Sequence, residues 1–219
     1  MSVTKTALLL LLFVLVTAGC GNEPAEQYTV GRVLLNEVFN QVDAWEQYAD
    51  ADTATNLQIA DGAYQVQTGD HGYIWGLNEQ EHDDVVMDVT TNQFSAHLNN
   101  AYGLMCRADT SNNGDGYYFL ISGDGYYSIA RGEGESVTPL IEWQESSAIN
   151  QGQQSNKLRA VCVGDYLALY ANDQFLAETS DSTYSNGYAG FTAAAFEEGN
   201  VDVGFDNLTI WEASLQSTP

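Results

Sequence analysis

The stretch Leu158-Arg159-Ala160-Val161-Cys162-Val163-Gly164-Asp165-Tyr166-Leu167-Ala168-Leu169-Tyr170-Ala171-Asn172-Asp173-Gln174-Phe175-Leu176-Ala177-Glu178 decides the fold class. Three runs rich in Val, Leu, Ala and aromatic residues are separated by two dipeptides, Gly164-Asp165 and Asn172-Asp173. Gly, Asn and Asp tolerate φ > 0, which two-residue hairpin turns require. The stretch reads as a three-strand antiparallel meander.

The same pattern continues on both sides. Ala63-Tyr64-Gln65-Val66-Gln67 alternates, and Val85 to Thr91 is a further β-rich run. Tyr117 to Ser122 and Gly125 to Arg131 flank Gly123-Asp124, which reads as a hairpin turn. Gly187 to Ala193 and Val201 to Ile210 are the closing strands. From residue 33 onward no apolar period of 3.6 persists over eleven residues, so helices are not expected. Roughly twelve to fourteen short strands without helices imply two packed antiparallel sheets. The segment Gly76 to Asp84, with Glu79, Glu81, Asp83 and Asp84, reads as a solvated acidic loop. No Pro stands between Pro24 and Pro139 and no low-complexity linker interrupts the chain, so 33–213 is expected to form one domain, with 214–219 as a tail. No fixed-period repeat argues for a propeller or solenoid.

The composition narrows the function classes. The 219 residues carry 30 Asp and Glu against 6 Lys and Arg, a formal charge of −24. That charge opposes electrostatic binding of nucleic acid or anionic lipid. Charged residues are only 16%, and aromatics reach 11%, a balance that favours a packed core over disorder. The scarcity of Lys fits either simple solubility or adaptation to salt.

The N-terminus reads as an address. Lys5 supplies a positive start, and Ala7 to Val16 is an apolar run of signal-peptide length. Thr17-Ala18-Gly19-Cys20 resembles a bacterial lipobox, although Leu is commoner than Thr three residues before the Cys. The resemblance implies a signal helix over 1–19 and a lipidated Cys20 that begins the mature chain. It also implies a polar tether over 20–32 and attachment to the membrane, outside the cytoplasm, through acyl chains. An ordinary signal peptide that contains a Cys is the competing reading.

Cys106 and Cys162 are the remaining thiols, each within a strand-like run. An even pair in an exported protein favours a disulfide. It would close a loop of about 56 residues and contribute roughly 3–4 kcal/mol in the chain-entropy model. Two buried free thiols are the alternative. Neither Cys has a second Cys or a His at zinc-ligand spacing.

Few residues suggest catalysis. The Glu-x-Asp-x-x-Glu spacing of jelly-roll glucanases is absent. His71, His82 and His97 lack a nucleophile elbow and read as exposed loop residues. Asp109-Thr110-Ser111-Asn112-Asn113-Gly114-Asp115 places oxygen ligands at alternate positions, like the start of a calcium loop. The twelfth position is Leu120 rather than Glu, so it is not an EF-hand. Asp109, Asn113 and Asp115 are weak calcium candidates, with a hydrophilic hairpin loop as the plainer reading. No other cofactor is expected.

Aromatic residues carry the functional lead. Sugars stack their C–H faces on Tyr and Trp rings while polar side chains bind hydroxyls. Tyr73 and Trp75 stand close together. Tyr117-Tyr118 and Tyr126-Tyr127 are adjacent pairs, so one ring of each should point away from the core. Arg107 should face opposite to Cys106 on a regular strand.

The order of these pieces resembles the concanavalin-like jelly rolls of the laminin-G and 3-keto-disaccharide-hydrolase-like type, over about residues 36 to 212. The matching pieces are Phe39 and Trp45, then Tyr102-Gly103-Leu104-Met105-Cys106-Arg107, then Tyr117-Tyr118-Phe119 and Gly125-Tyr126-Tyr127. Leu140-Ile141-Glu142-Trp143, Asn156-Lys157-Leu158-Arg159, Asn172 to Phe175, Gly187-Tyr188-Ala189-Gly190-Phe191 and Phe205-Asp206-Asn207-Leu208 follow. Asp173 stands where the family's hairpin has Gly. The resemblance implies an all-β, two-sheet antiparallel jelly-roll sandwich with one concave face, and it supports the Cys106–Cys162 pairing. Its usual implication is sugar binding, with enzymatic activity only in some branches, whose catalytic residues are not visible here. The resulting expectation is a lipid-anchored domain that binds extracellular glycan without catalysis. Its expected contacts are Tyr73, Trp75, Arg107, Tyr118, Tyr127 and Trp143. A glycoside-cleaving hydrolase of the 3-keto-disaccharide type and a protein-adhesion module are the alternatives.

Overall fold

The computed structural model describes residues 23–24, 27–41, 45–69, 72–111, 113–134, 136–196 and 199–216. The expected signal segment, Cys20 and His71 lie outside these residues. The described residues hold fifteen strands and no helix. In chain order they are β1 (Tyr28–Glu37), β2 (Tyr48–Asp50), β3 (Thr55–Ala60), β4 (Ala63–Thr68) and β5 (Ile74–His82). Next come β6 (Val85–Gln93), β7 (Asn100–Ala108), β8 (Gly116–Ile121), β9 (Tyr126–Glu133) and β10 (Ser136–Glu145). The last are β11 (Ser155–Val163), β12 (Tyr166–Ala171), β13 (Gln174–Ser180), β14 (Gly187–Ala195) and β15 (Val201–Leu215).

The strands form two antiparallel sheets of a jelly-roll sandwich. A nine-stranded sheet runs β13-β12-β11-β6-β15-β4-β3-β2, with β1 paired to the C-terminal part of β15. A six-stranded sheet runs β10-β9-β8-β7-β14-β5. The meander expected at 158–178 is present as β11-β12-β13. Its turns take the required conformation, with Gly164 at φ 59°, Asn172 at 51° and Asp173 at 62°.

Alternation fills the space between the sheets. Tyr64 and Phe205 come from the larger sheet, and Phe191 and Phe119 from the smaller. Phe191 stacks between Trp45 and Phe205, with ring centroids 4.9 Å and 4.3 Å away. Tyr64 crosses the core, and its hydroxyl donates to the Glu46 carbonyl at 2.5 Å. A Cβ on Gly76 would fall 1.9 Å from that hydroxyl oxygen, so only Gly fits there. Truncating Phe191 to Ala would cost about 3–5 kcal/mol. The Cys106–Cys162 disulfide joins β7 to β11, hence one sheet to the other, across a Cα separation of 6.8 Å.

Several expectations change. The segment 76–84 is mostly strand β5, with Asp83 and Asp84 in the turn that follows. It is an edge strand, where charged residues remain hydrated and discourage pairing with another chain. His82, expected on an exposed loop, is 7% exposed at the end of β5, whereas His97 is exposed as expected. Strand β1 begins within the stretch read as tether, and β15 runs into the expected tail, because Tyr28 pairs with Leu215. The turn between β8 and β9 takes its positive φ at Gly125 rather than at Gly123.

Candidate functional site

The outer face of the six-stranded sheet carries a second apolar layer. Met105 of β7, Tyr118 and Leu120 of β8, Ala130 of β9 and Ala194 of β14 are buried there although they point away from the main core. Tyr73, Trp75, Val137, Trp143 and Tyr188 pack over them and remain half-exposed. Small residues in the middle of this face leave room for large rings on top.

The rings form a connected line. Tyr73 meets Tyr118 at 5.5 Å and Phe196 at 6.1 Å, and Phe196 meets Trp143 at 5.9 Å, all edge to face. Phe196 follows β14 and is 38% exposed. The line draws on the segment before β5, on β8, on the end of β14 and on β10, so only the folded sheet assembles it.

A cavity opens at each end. At the β5 end lies a cleft of about 490 Å³ between that edge strand and the β2–β3 hairpin. Tyr48, Tyr73 and Trp75 supply its rings, and Glu46, Asp50 and Thr53 its polar groups. Such a size is ordinary for small-ligand pockets, at roughly 300–1,000 Å³. At the β9–β10 end lies a recess of about 230 Å³, lined by Tyr126, Trp143 and Phe196 with Asn99, Ser122 and Asp124. A third trough, lined by Glu81, Asp83, Asp84 and Glu212 around His82 and Arg32, lies beyond the other end of β5.

Burial pushes the Tyr73 hydroxyl up to about 12. The Tyr118 hydroxyl is raised by burial first and by its neighbours Tyr73, Asp115 and Tyr184 second. It donates to the Gly114 carbonyl at 2.7 Å. Both phenols therefore stay protonated in any ordinary medium and act as stacking or hydrogen-bonding groups.

The six expected contact residues divide. Tyr73, Trp75 and Trp143 come together on the outer face, with Tyr118 fully buried beneath Tyr73. Tyr127 points into the main core, where its hydroxyl donates to the Leu176 carbonyl at 3.2 Å. Tyr126 is the outward ring of that pair and is 39% exposed. Arg107 is 3% exposed. It donates to the Gly164 carbonyl at 2.7 Å, the Tyr184 carbonyl at 2.9 Å and Asp84 Oδ1 at 2.8 Å. The cause is a bulge. Arg107 has φ 51°, and the pairing with β14 jumps from Met105 opposite Gly190 to Ala108 opposite Tyr188. The extra residue breaks the alternation, so Arg107 turns inward and ties three loops together.

Sequence reasoning missed Tyr48, Tyr126, Tyr188 and Phe196. Only Tyr126 carried a signal, since one of Tyr126 and Tyr127 had to face outward.

Asp109, Asn113 and Asp115 spend oxygens on hydrogen bonds with Ser111, with one another and with the turn after β9. Asp109 Oδ1 accepts from the Ser111 N–H, and Asn113 Nδ2 donates to Asp115 Oδ2 at 3.1 Å. Asp115 Oδ1 accepts from the Gly134 N–H at 2.7 Å. Among the described residues no group of three or more His, Cys, Asp or Glu side chains is arranged to hold a metal ion.

No protein-family model matches the chain, and no curated protein matches it in sequence. Solved structures do. The carbohydrate-binding module CBM66 from Bacillus subtilis aligns with a TM-score of 0.60 and 17% identity, over 78% of this chain and 97% of that one. A Bacillus subtilis protein of unknown function with a galectin-like fold gives 0.64 and 11%, over 85% and 99%. A Bacillus licheniformis beta-glucanase gives 0.59 and 6%, over 84% and 99%. At such identities the likeness shows a shared fold.

Proposed function

We propose that the protein is an extracytoplasmic, lipid-anchored domain that binds carbohydrate without cleaving it. One observation carries the reading: the ring line Tyr73–Phe196–Trp143, which joins two cavities with polar rims. Rings at this spacing offer successive stacking surfaces to a sugar chain, and the rim side chains offer hydrogen bonds to its hydroxyls. The fold supports the reading, since a carbohydrate-binding module shares it. In the middle of the face Ala101, Met105, Leu120, Ala130 and Ala194 offer apolar contact rather than acid–base chemistry.

The anchor follows from the lipobox-like Thr17-Ala18-Gly19-Cys20. With Cys20 lipidated, only seven residues separate it from Tyr28, the start of β1, so the domain would stay close to the membrane surface.

The test is a glycan and polysaccharide array probed with the full chain, with and without calcium. Selective binding that weakens in Trp143→Ala supports the reading. A blank array in both conditions overturns it. Release of reducing sugar would favour the hydrolase alternative instead.

A further inference from the structure

All five Lys and Arg side chains among the described residues are paired with carboxylates. Arg32 meets Glu212 at 3.2 Å, Arg107 meets Asp84 at 2.8 Å and Arg131 meets Asp181 at 2.7 Å. Lys157 meets Asp173 at 2.9 Å, and Arg159 meets Asp88 at 2.6 Å. With 30 acidic residues in the chain, carboxylates remain in large excess.

That excess reaches the ring line. Glu46 and Asp50 line the cleft at the β5 end, and Asp124 lines the recess at the other end. Neither cavity is lined by Lys or Arg. The two carboxylates of the cleft are held in place. Glu46 Oε2 accepts the Leu77 N–H at 3.1 Å, and Asp50 Oδ1 accepts the Asp52 N–H at 2.9 Å. They share the cleft with the rings of Tyr48, Tyr73 and Trp75.

A sugar entering this cleft meets aromatic faces and negative charge together. A uronate or sulfate ester is repelled. A neutral sugar can donate hydroxyl hydrogen bonds to the carboxylates. An ammonium group gains a charge-assisted hydrogen bond, which is shorter and stronger than a neutral one. It also gains attraction from the negative face of an adjacent ring. We propose that the cleft at the β5 end takes an amine-bearing glycan, with a free 2-amino-hexose in contact with Glu46 and Asp50, and rejects anionic glycans. This rests on the carbohydrate-binding reading above and adds the chemical class of the ligand.

The experiment is calorimetric titration of the full chain at 0.15 M salt with three trisaccharides: glucosamine, N-acetylglucosamine and galacturonate. The glucosamine trimer is expected to bind about fivefold more tightly than the acetylated one, a modest gain for solvent-accessible charges. The galacturonate trimer is expected not to bind. The double variant E46Q/D50N keeps the acceptor oxygens that hold the loop, and is expected to bring the glucosamine trimer down to the affinity of the acetylated one. Trp75→Ala is expected to weaken both. Equal affinity of the two trimers in the wild-type chain would overturn the proposal. So would a preference for the amine that survives E46Q/D50N, since long-range attraction by an acidic protein would then account for it. Binding of neutral glycans alone would leave the carbohydrate-binding reading intact, whereas no binding of any glycan would remove both.

Discussion

Phe196 stands edge-on to Trp143, with ring centroids 5.9 Å apart and planes at 81°. The two residues come from different strands, β10 and the end of β14, which lie apart in the six-stranded sheet. Phe196 contacts Tyr73 on its other side, so it is the central link of the ring line. Phe196→Ala should break the line with little damage to the fold. We expect a loss of about 0.5–1.5 kcal/mol in glycan affinity and a change in stability below about 1 kcal/mol. Titration calorimetry and urea denaturation of the same variant check both values.

Arg107 should prove structural. Arg107→Met leaves the carbonyls of Gly164 and Tyr184 without this donor and removes the charged partner of Asp84. A loss of about 1–2 kcal/mol in unfolding free energy is expected, with glycan affinity per folded molecule unchanged. Urea denaturation and calorimetry together distinguish this outcome from a role in binding.

The Cys106–Cys162 disulfide ties the sheets together across 56 residues of sequence. Replacing both Cys by Ala should cost about 4 kcal/mol through the chain entropy of the unfolded state. The urea midpoint should fall accordingly, and the native β-sheet circular dichroism should persist at low denaturant.

Acid should destabilise the protein in two steps. His82 is held below its usual range by burial, which the negative charge of Asp83 only partly offsets. Its contribution is complete above about pH 6.5 and is lost as pH falls through that value, because the unfolded chain takes up the proton first. Burial raises the Asp181 carboxyl, but hydrogen bonds from Thr183 and Tyr117 and the charge of Arg131 outweigh it and hold it at about 2. Its contribution, about 1–2 kcal/mol after solvent screening, is present above about pH 4 and lost towards pH 2. Thermal melts at stepped pH should show His82→Gln flattening the upper step and Asp181→Asn the lower.

Salt should stabilise the fold. The carboxylates outnumber the basic residues 30 to 6, and the described basic residues already have partners. Screening of the remaining repulsion should raise the melting temperature by several degrees between low salt and about 1 M NaCl. A fall in melting temperature would show that the ion pairs outweigh the repulsion.

The meander β11-β12-β13 was legible because its turn residues and its alternation agree. That one ring of each Tyr pair faces outward is legible from alternation, but which one is not: it is the second in Tyr117-Tyr118 and the first in Tyr126-Tyr127. Arg107 was not legible, since a bulge flips the alternation and no residue type announced it. Either ring of a Tyr pair satisfies the alternation equally, and Tyr127 faces the core because the register of β9 turns Tyr126 outward. Residues 76–84 were misread because the charges of an edge strand look like those of a loop. The ring line itself was half legible: Tyr73, Trp75 and Trp143 stand out as aromatic residues, but Phe196 joins them only because the chain leaving β14 brings its ring to Trp143 of β10, a strand that is not a neighbour of β14.

The four indoles allow the most direct test of the central claim. Trp75 and Trp143 lie on the outer face of the six-stranded sheet, Trp45 lies in the core, and Trp211 packs on the outer face of the other sheet. Two-dimensional NMR should follow the four indole N–H signals as a glycan selected on the array is added. Shifts are expected at Trp75 and Trp143, with Trp45 and Trp211 unmoved. Shifts confined to Trp211, or none at saturating glycan, would contradict that claim.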